Sequence, residues 1–161
     1  MAQADMFLKL HNIKGESTDA KHKGEIEVLS YSWTGTQSGT GHVGTGSGAG
    51  KVAIGDLQIT KYVDSASPQL FQFLTKGDHI AEGLLTCRKA GGEQLEYLKL
   101  KMEQVFITSV SVSGSQGHDS GTESVSLNFR KFTQTYTPQD EKGKPKTPVD
   151  FKWDIARASE S

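Results

Sequence analysis

One cysteine, Cys87, occurs in 161 residues. A single thiol excludes an internal disulfide and fits folding in a reducing compartment. No apolar run reaches the roughly 18 residues that a membrane-crossing helix needs. The first ten residues lack a basic region and a long apolar region, so no cleaved signal peptide is expected. Eighteen basic residues face nineteen acidic ones, for a net charge of −1. Without a strong field, neither nucleic acid nor membrane insertion is expected. Five histidines (His11, His22, His42, His79 and His118) show no zinc-ligand spacing, and no cysteine pair exists, so no metal or cofactor is expected. No G-x-S-x-G elbow occurs. His118, Asp119 and Ser120 are of triad types, but adjacent residues cannot form a triad with one another. Asp56, Asp64, Glu93 and Glu123 are scattered and read as strand-edge solubilisers or loop residues. No catalytic residue is indicated.

What is present is alternation. Hydrophobic residues make up 34% of the chain, enough for a β domain with wet loops, and the length suits one domain over residues 1–161. Residues 6–13 read as a strand and 14–24 as a polar loop. Over 25–34, Ile26 and Val28 hold one phase while Leu29, Tyr31 and Trp33 hold the other. Because side chains alternate with period two, this switch requires a bulge, a bend or burial on both faces near Leu29. Residues 52–63 form a third strand, with Leu57 and Ile59 opposite Gln58 and Thr60. One helix follows, with Ser67 as N-cap, Pro68 in its first turn, Leu70, Phe71 and Leu74 as an apolar stripe, and Gly77 past its end. Residues 84–89 are a strand and 90–93 a turn. Residues 97–112 are one long strand or two sharing a bend, with Leu98, Leu100 and Met102 opposite Lys99, Lys101 and Glu103. A polar loop at 113–121 leads to a strand at 123–136. A lysine-rich loop at 140–146 leads to a strand at 150–156, after which the tail should fray. Seven or eight strands without a βαβ rhythm favour an antiparallel barrel or two packed sheets. Apolar side chains left outward on the bent strands hint at subunit contacts.

The glycine-rich run interrupts this pattern. Six of the fifteen residues 36–50 are Gly, and Val43 is the one large apolar residue among them. Such a run cannot bury enough to offset its ordering entropy, so mobility in the isolated chain is expected. A long loop of this kind inside a β domain tends to be functional. Residues 39–44 match G-x-G-x-x-G, but more glycine and then a strand follow where a dinucleotide site needs a helix. A P-loop would need Gly at 45 and Ser or Thr at 52, where Thr45 and Val52 stand. An arm that orders between protomers and a solvated hairpin loop remain, undecided by the residues alone. Tyr31, Trp33, Tyr97, Phe106 and Trp153 could form a sugar-binding or base-stacking face, but core and interface filling is the simpler reading. Cys87 on a strand reads as a small buried hydrophobe.

Several stretches then read together: Asp5-Met-Phe-Leu-Lys9, Lys14-Gly-Glu-Ser17, His42-Val-Gly-Thr-Gly-Ser-Gly-Ala-Gly-Lys-Val52, Asp56-Leu57, Thr60-Lys-Tyr-Val-Asp64, Ser67-Pro68, Arg88-Lys-Ala-Gly-Gly-Glu93, Glu96-Tyr97, Ser109-Val-Ser111 and Leu127-Asn-Phe129. In this order and spacing they resemble the Hcp family, tube proteins of bacterial type VI secretion systems, over residues 5–153. The resemblance implies a small antiparallel β-barrel with one short flanking α-helix and an extended Gly-rich loop, similar to phage tail-tube proteins. It implies homohexameric rings that stack into a tube, a surrounding contractile sheath, a VgrG-type spike, and small effectors held in the lumen. It also implies a cytoplasmic protein that is secreted on firing without a cleaved signal peptide. No toxin-sized extension follows Ser161, so no enzyme is expected.

On this reading the ring-stacking arm comprises Gln37, Ser38, Gly39, Thr40, Gly41, His42, Val43, Gly44, Thr45, Gly46, Ser47, Gly48, Ala49, Gly50 and Lys51, with the loops at 113–121 and 142–146 as its possible partners. The competing expectation is a monomeric secreted β-sandwich that binds carbohydrate or a host surface.

Overall fold

Alternating residues become ten strands, and the short stripe becomes one helix, among the described residues 5–39, 51–91 and 94–160 of a computed structural model. In chain order these are β1 (Asp5–Leu10), β2 (Ile26–Glu27), β3 (Ser30–Ser32), β4 (Gly35–Gln37), β5 (Val52–Ile54), β6 (Leu57–Tyr62), α1 (Ser67–Lys76), β7 (Ile80–Arg88), β8 (Glu96–Ser113), β9 (Thr122–Tyr136) and β10 (Val149–Asp154). The main sheet runs β2-β1-β7-β8-β9-β6-β3, antiparallel throughout, and β10 is a further partner of β9. β4 and β5 form a separate two-stranded ribbon.

The two ends of that strand order, β2 and β3, are consecutive in sequence. Only Val28 and Leu29 lie between them. The Val28 N–H donates to Met6 O on β1 at 3.0 Å, and the Leu29 N–H donates to Thr60 O on β6 at 2.8 Å. The chain thus leaves one end of the strand order and joins the other, which closes a barrel. The phase switch at Leu29 is that handover.

Register explains the core. Leu8, Leu85 and Leu100 lie opposite one another across β1, β7 and β8, and Leu10, Gly83 and Met102 form the next row. Across β6, β9 and β8 the row is Leu57, Leu127 and Ile107. Leu8, Leu57, Met102 and Leu127 are fully buried, each worth about 1.5–3 kcal/mol relative to exposure. Cys87 is fully buried beside Met6 and Leu98, as a small hydrophobe would be.

The structure alters some sequence expectations and decides others. The strand expected over 52–63 is split at Gly55 and Asp56 into β5 and β6. The long strand over 97–112 stays single, absorbing its irregularity at Gln104, whose φ is +52°, and in a register shift between Ile107 and Ser109. The N-cap of α1 is Ala66 rather than Ser67. The Ser67 hydroxyl is occupied: it accepts the Asp64 N–H at 2.9 Å and donates to the Glu123 carboxylate. Gly77 ends the helix in the left-handed conformation as expected, its N–H donating to Phe73 O. Finally, the tail turns back rather than fraying, with Asp154 and Ser159 exchanging backbone hydrogen bonds and the Arg157 N–H donating to Asp154 Oδ1.

Candidate functional site

The expected arm begins on the ribbon, at Gln37, and ends beside it, at Lys51. Gln37 closes β4 opposite Val52, and the pairing extends one step further. The Ser38 N–H donates to Lys51 O at 3.3 Å, and the Lys51 N–H donates to Ser38 Oγ at 2.9 Å. Gly39 then takes φ +64°. Residues 40–50 of the expected arm, including His42 and Val43, lie outside the described residues. So do Gly92 and Glu93 of the expected turn. Both loops named as possible arm partners are exposed: 113–121 rises between β8 and β9, and 142–146 is gathered by Asp140, which accepts the N–H groups of Lys142 and Lys144.

The root of the ribbon is tightly built. The Gly55 N–H donates to Thr34 O at 2.8 Å, and Trp33 Nε1 donates to Gly55 O at 3.1 Å. A Cβ at position 55 would stand 2.8 Å from Thr34 Oγ1, so this close approach requires glycine. Next to it, Asp56 accepts the Thr108 hydroxyl at 2.7 Å and the Asn128 amide at 2.9 Å. Between ribbon and barrel runs an apolar groove of about 680 Å³, lined chiefly by Val52, Ile54, Phe132, Phe151 and Trp153.

Exposed apolar side chains gather at two ends of the sheet. Beside the first residues of β9 stand Tyr62, Val63 and Val112; Tyr62 pairs with Thr122, and Val112 with Glu123. Beside its last residues stand Tyr136, Val149 and Phe151, with Val149 64% exposed. The second group continues rows that are buried in the barrel: Leu8, Leu85, Leu100 and Gln134 lead to Phe151, and Met6, Cys87, Leu98 and Tyr136 lead to Val149. The apolar face is therefore wider than the barrel it closes. Beyond Val105, β8 pairs only with β9 among the described residues.

Charged clusters lie apart from these surfaces. Arg88, 2% exposed, holds Asp19 and Asp5 through its guanidinium and stacks over the Phe7 ring. The hydrogen bond from Arg88 holds the Asp19 carboxyl well below the usual range, and the two carboxylates push Arg88 up. His22 stacks on the same Phe7 ring, with Nδ1 2.9 Å from Glu25 and Nε2 2.7 Å from Glu96. Burial pushes Glu96 up, but the His22 hydrogen bond and the Lys99 ammonium outweigh it and lower its pKa. Lys61, fully buried, sits 2.8 Å from Asp64 and 3.5 Å from Glu123. Glu123 is therefore no strand-edge solubiliser; it is buried beside its cation. Asp64 joins the same cluster, and Asp56 lies at the ribbon root, bonded to Thr108 and Asn128.

The other singled-out residues do not converge. His118, Asp119 and Ser120 are exposed in the 113–121 loop, His11 is exposed, and His79 packs at a tilt against Phe106. Trp33 stands edge-on to Phe132, Trp153 stacks on Phe151, and Lys89 lies over Tyr97. Trp33, Tyr97 and Trp153 pack against the core. Among the described residues no group of three His, Cys, Asp or Glu could hold a metal ion, and no helix is long and apolar enough to cross a membrane. Sequence reading missed the Asp56 clamp and the Lys61 cluster; a lysine in phase with Leu57 and Ile59 was the one signal for the latter.

A barrel whose apolar sheet face extends beyond its own closure, with a β-ribbon at its side, has the surface of a self-assembling structural component. Residues 7–136 match the family described as type VI secretion system effector, Hcp. The chain is 47% identical to the protein hcp1 of Pseudomonas aeruginosa over 153 residues, 94% of each chain. It superposes on a type six secretion system protein with a TM-score of 0.93 at 30% identity, covering 99% of this chain and all of that one. Hcp1 from Salmonella typhimurium gives a TM-score of 0.80 at 36% identity, with both chains fully covered. The chain belongs to the Hcp family of type VI secretion proteins. It is a secreted structural protein and not an enzyme.

Proposed function

We propose that six copies close into a ring and that rings stack into the inner tube of the secretion machine. The observation that carries this reading is the pair of apolar surfaces at opposite ends of β9, up to about 46 Å apart along the strand at ~3.3 Å per residue. An isologous dimer uses one patch twice. Two distinct, distant patches suit a head-to-tail contact, which closes into a ring when its rotation allows. The stretch of β8 beyond Val105, paired on one side only among the described residues, lies at one end and β10 at the other, so the same contact would cover one-sided strand edges. Residues 37–51 then serve as the arm between rings, since a glycine-rich segment that orders on docking gives reach with limited affinity. Sheath contraction expels the tube behind a VgrG-type spike, with small effectors in its lumen. The protein is cytoplasmic before firing and leaves without a cleaved signal peptide.

The test is light scattering and electron microscopy of the purified protein and of a variant lacking residues 40–48. The expected result is six-fold rings from both, with stacks from the full chain alone. A monomer at high concentration overturns the ring, and normal stacking by the deletion variant overturns the arm.

A further inference from the structure

We infer that Asp56 is a positioning residue, set by a polar clamp from Thr108 and Asn128, that fixes the direction in which the ribbon β4–β5 leaves the barrel. The ribbon is its own sheet, with no ladder to the barrel among the described residues. Among those residues, backbone pairing ties it to the β3–β6 ladder at one step only, the 2.8 Å hydrogen bond from the Gly55 N–H to Thr34 O, so pairing alone holds its direction weakly. Ile54 and Trp33 pack against the core, but apolar contact is non-directional and tolerates rotation. Directional hold has to come from the root, where β5 passes into β6 through Gly55 and Asp56.

Both carboxylate oxygens of Asp56 are used. Oδ2 accepts the Thr108 hydroxyl from β8 at 2.7 Å, and Oδ1 accepts the Asn128 amide from β9 at 2.9 Å. Two donors on adjacent strands fix a planar group against the rotation that a single hydrogen bond permits. The register shift in β8 explains how Thr108 comes to be there. The shift lies between Ile107 and Ser109, so Thr108 has no partner residue on β9. Its hydroxyl reaches both Asp56 and Ser126 O, the latter at 3.2 Å. A bulge re-aims one side chain out of the regular alternation, and here it aims a donor at the ribbon root. The three residues of β5 extend about 10 Å from this hinge at ~3.3 Å each, so slack at Asp56 grows toward the tip. Hydrogen bonds this close to the surface are individually modest, which suits control of direction rather than of folding. The consequence for assembly rests on the proposed arm: a ribbon without direction presents its arm over a wide cone and loses stacking.

The experiment measures the direction itself. Thr36→Cys on the ribbon and Glu82→Cys on β7, both exposed, carry nitroxide labels, with labelled protomers diluted in unlabelled protein. The native thiol does not interfere, because Cys87 is buried and burial pushes its pKa up to about 11. In the parent chain the electron–electron distance distribution is expected to be narrow. Asp56→Ala loses the narrow peak, Thr108→Val broadens it partly, and Asp56→Asn, which keeps one acceptor oxygen, lies between parent and alanine. If Asp56→Ala does not fold, the Thr108→Val comparison decides. An unchanged distribution overturns the clamp. Microscopy of the same variants is expected to show intact rings with stacks lost. Rings that stack normally despite a broadened ribbon overturn the assembly consequence. Normal stacking by the variant lacking residues 40–48 overturns the arm reading instead, and the distance result stands apart from it.

Discussion

The barrel and the ribbon are built from the same element and held in different ways. The barrel's long strands β7 and β9 have partners on both sides over most of their length, and inward side chains from across the sheet meet in one core. The ribbon has three paired residues per strand, one partly buried side chain in Ile54, and a few hydrogen bonds at its root. Burial fixes the barrel through many weak contacts that support one another. Directional polar contacts fix the ribbon, and few of them exist. A change of the same size should therefore be felt as stability in one region and as geometry in the other.

The sharpest break in that comparison is a matched truncation. Leu127→Ala removes a fully buried side chain from the centre of the barrel and is expected to cost about 3–5 kcal/mol in denaturant unfolding. Val52→Ala on the ribbon should cost less than about 1 kcal/mol. Equal costs would mean that the ribbon belongs to the same cooperative unit as the core.

A second break concerns the polar part of the barrel. Lys61→Met leaves Glu123 buried without its cation and is expected to cost about 3 kcal/mol. Adding Glu123→Leu should recover most of that loss, and a double-mutant cycle measures it. Additive losses would show that the two side chains act independently.

Acid sharpens the comparison further. The hydrogen bond from Arg88 lowers the Asp19 pKa below its ordinary value of 3.8. The unfolded chain then binds more protons than the folded one in acid, so the contribution of Asp19 is full above about pH 4 and fades as pH falls below it. Asp19→Asn should be less stable near pH 7 and flatter below pH 4, with the slope that remains coming from Glu96 and Asp154, whose pKa values are also lowered. Chemical denaturation across pH 2 to 7 tests this, and an unchanged limb in Asp19→Asn refutes it.

The smallest effect on the fold should come from the exposed end of the apolar face. Phe151→Asp is expected to leave the far-UV circular dichroism of the protomer unchanged and to reduce the mass in light scattering from hexamer to monomer. A hexamer that survives this change would remove β10 from the ring contact.

Much of the barrel was legible in advance because period-two alternation is local. The strands at 84–89 and 123–136, the helix ending at Gly77 and the break near Leu29 all follow from neighbouring residues. Ser67 was misread because an N-cap serine and a serine bonded to a carboxylate 56 residues away look alike in sequence. The ribbon was legible only as a glycine-rich interruption, since nothing near Asp56 indicates that Thr108 and Asn128 will reach it. Glu123 was misread for the same reason: its burial depends on Lys61, 62 positions earlier.

The sequence by itself determined which segments extend, where the helix stops, that no disulfide can form within the chain, and the family to which the chain belongs. Each of these depends on residue type and on spacings of a few positions. Tertiary structure alone decided that Val28 and Leu29 close the barrel, that Lys61 meets Glu123, that a bulge turns Thr108 toward Asp56, and that Val149 and Phe151 are left outside. Those outcomes depend on register and closure between segments far apart in the chain, and alternation is equally satisfied by more than one register.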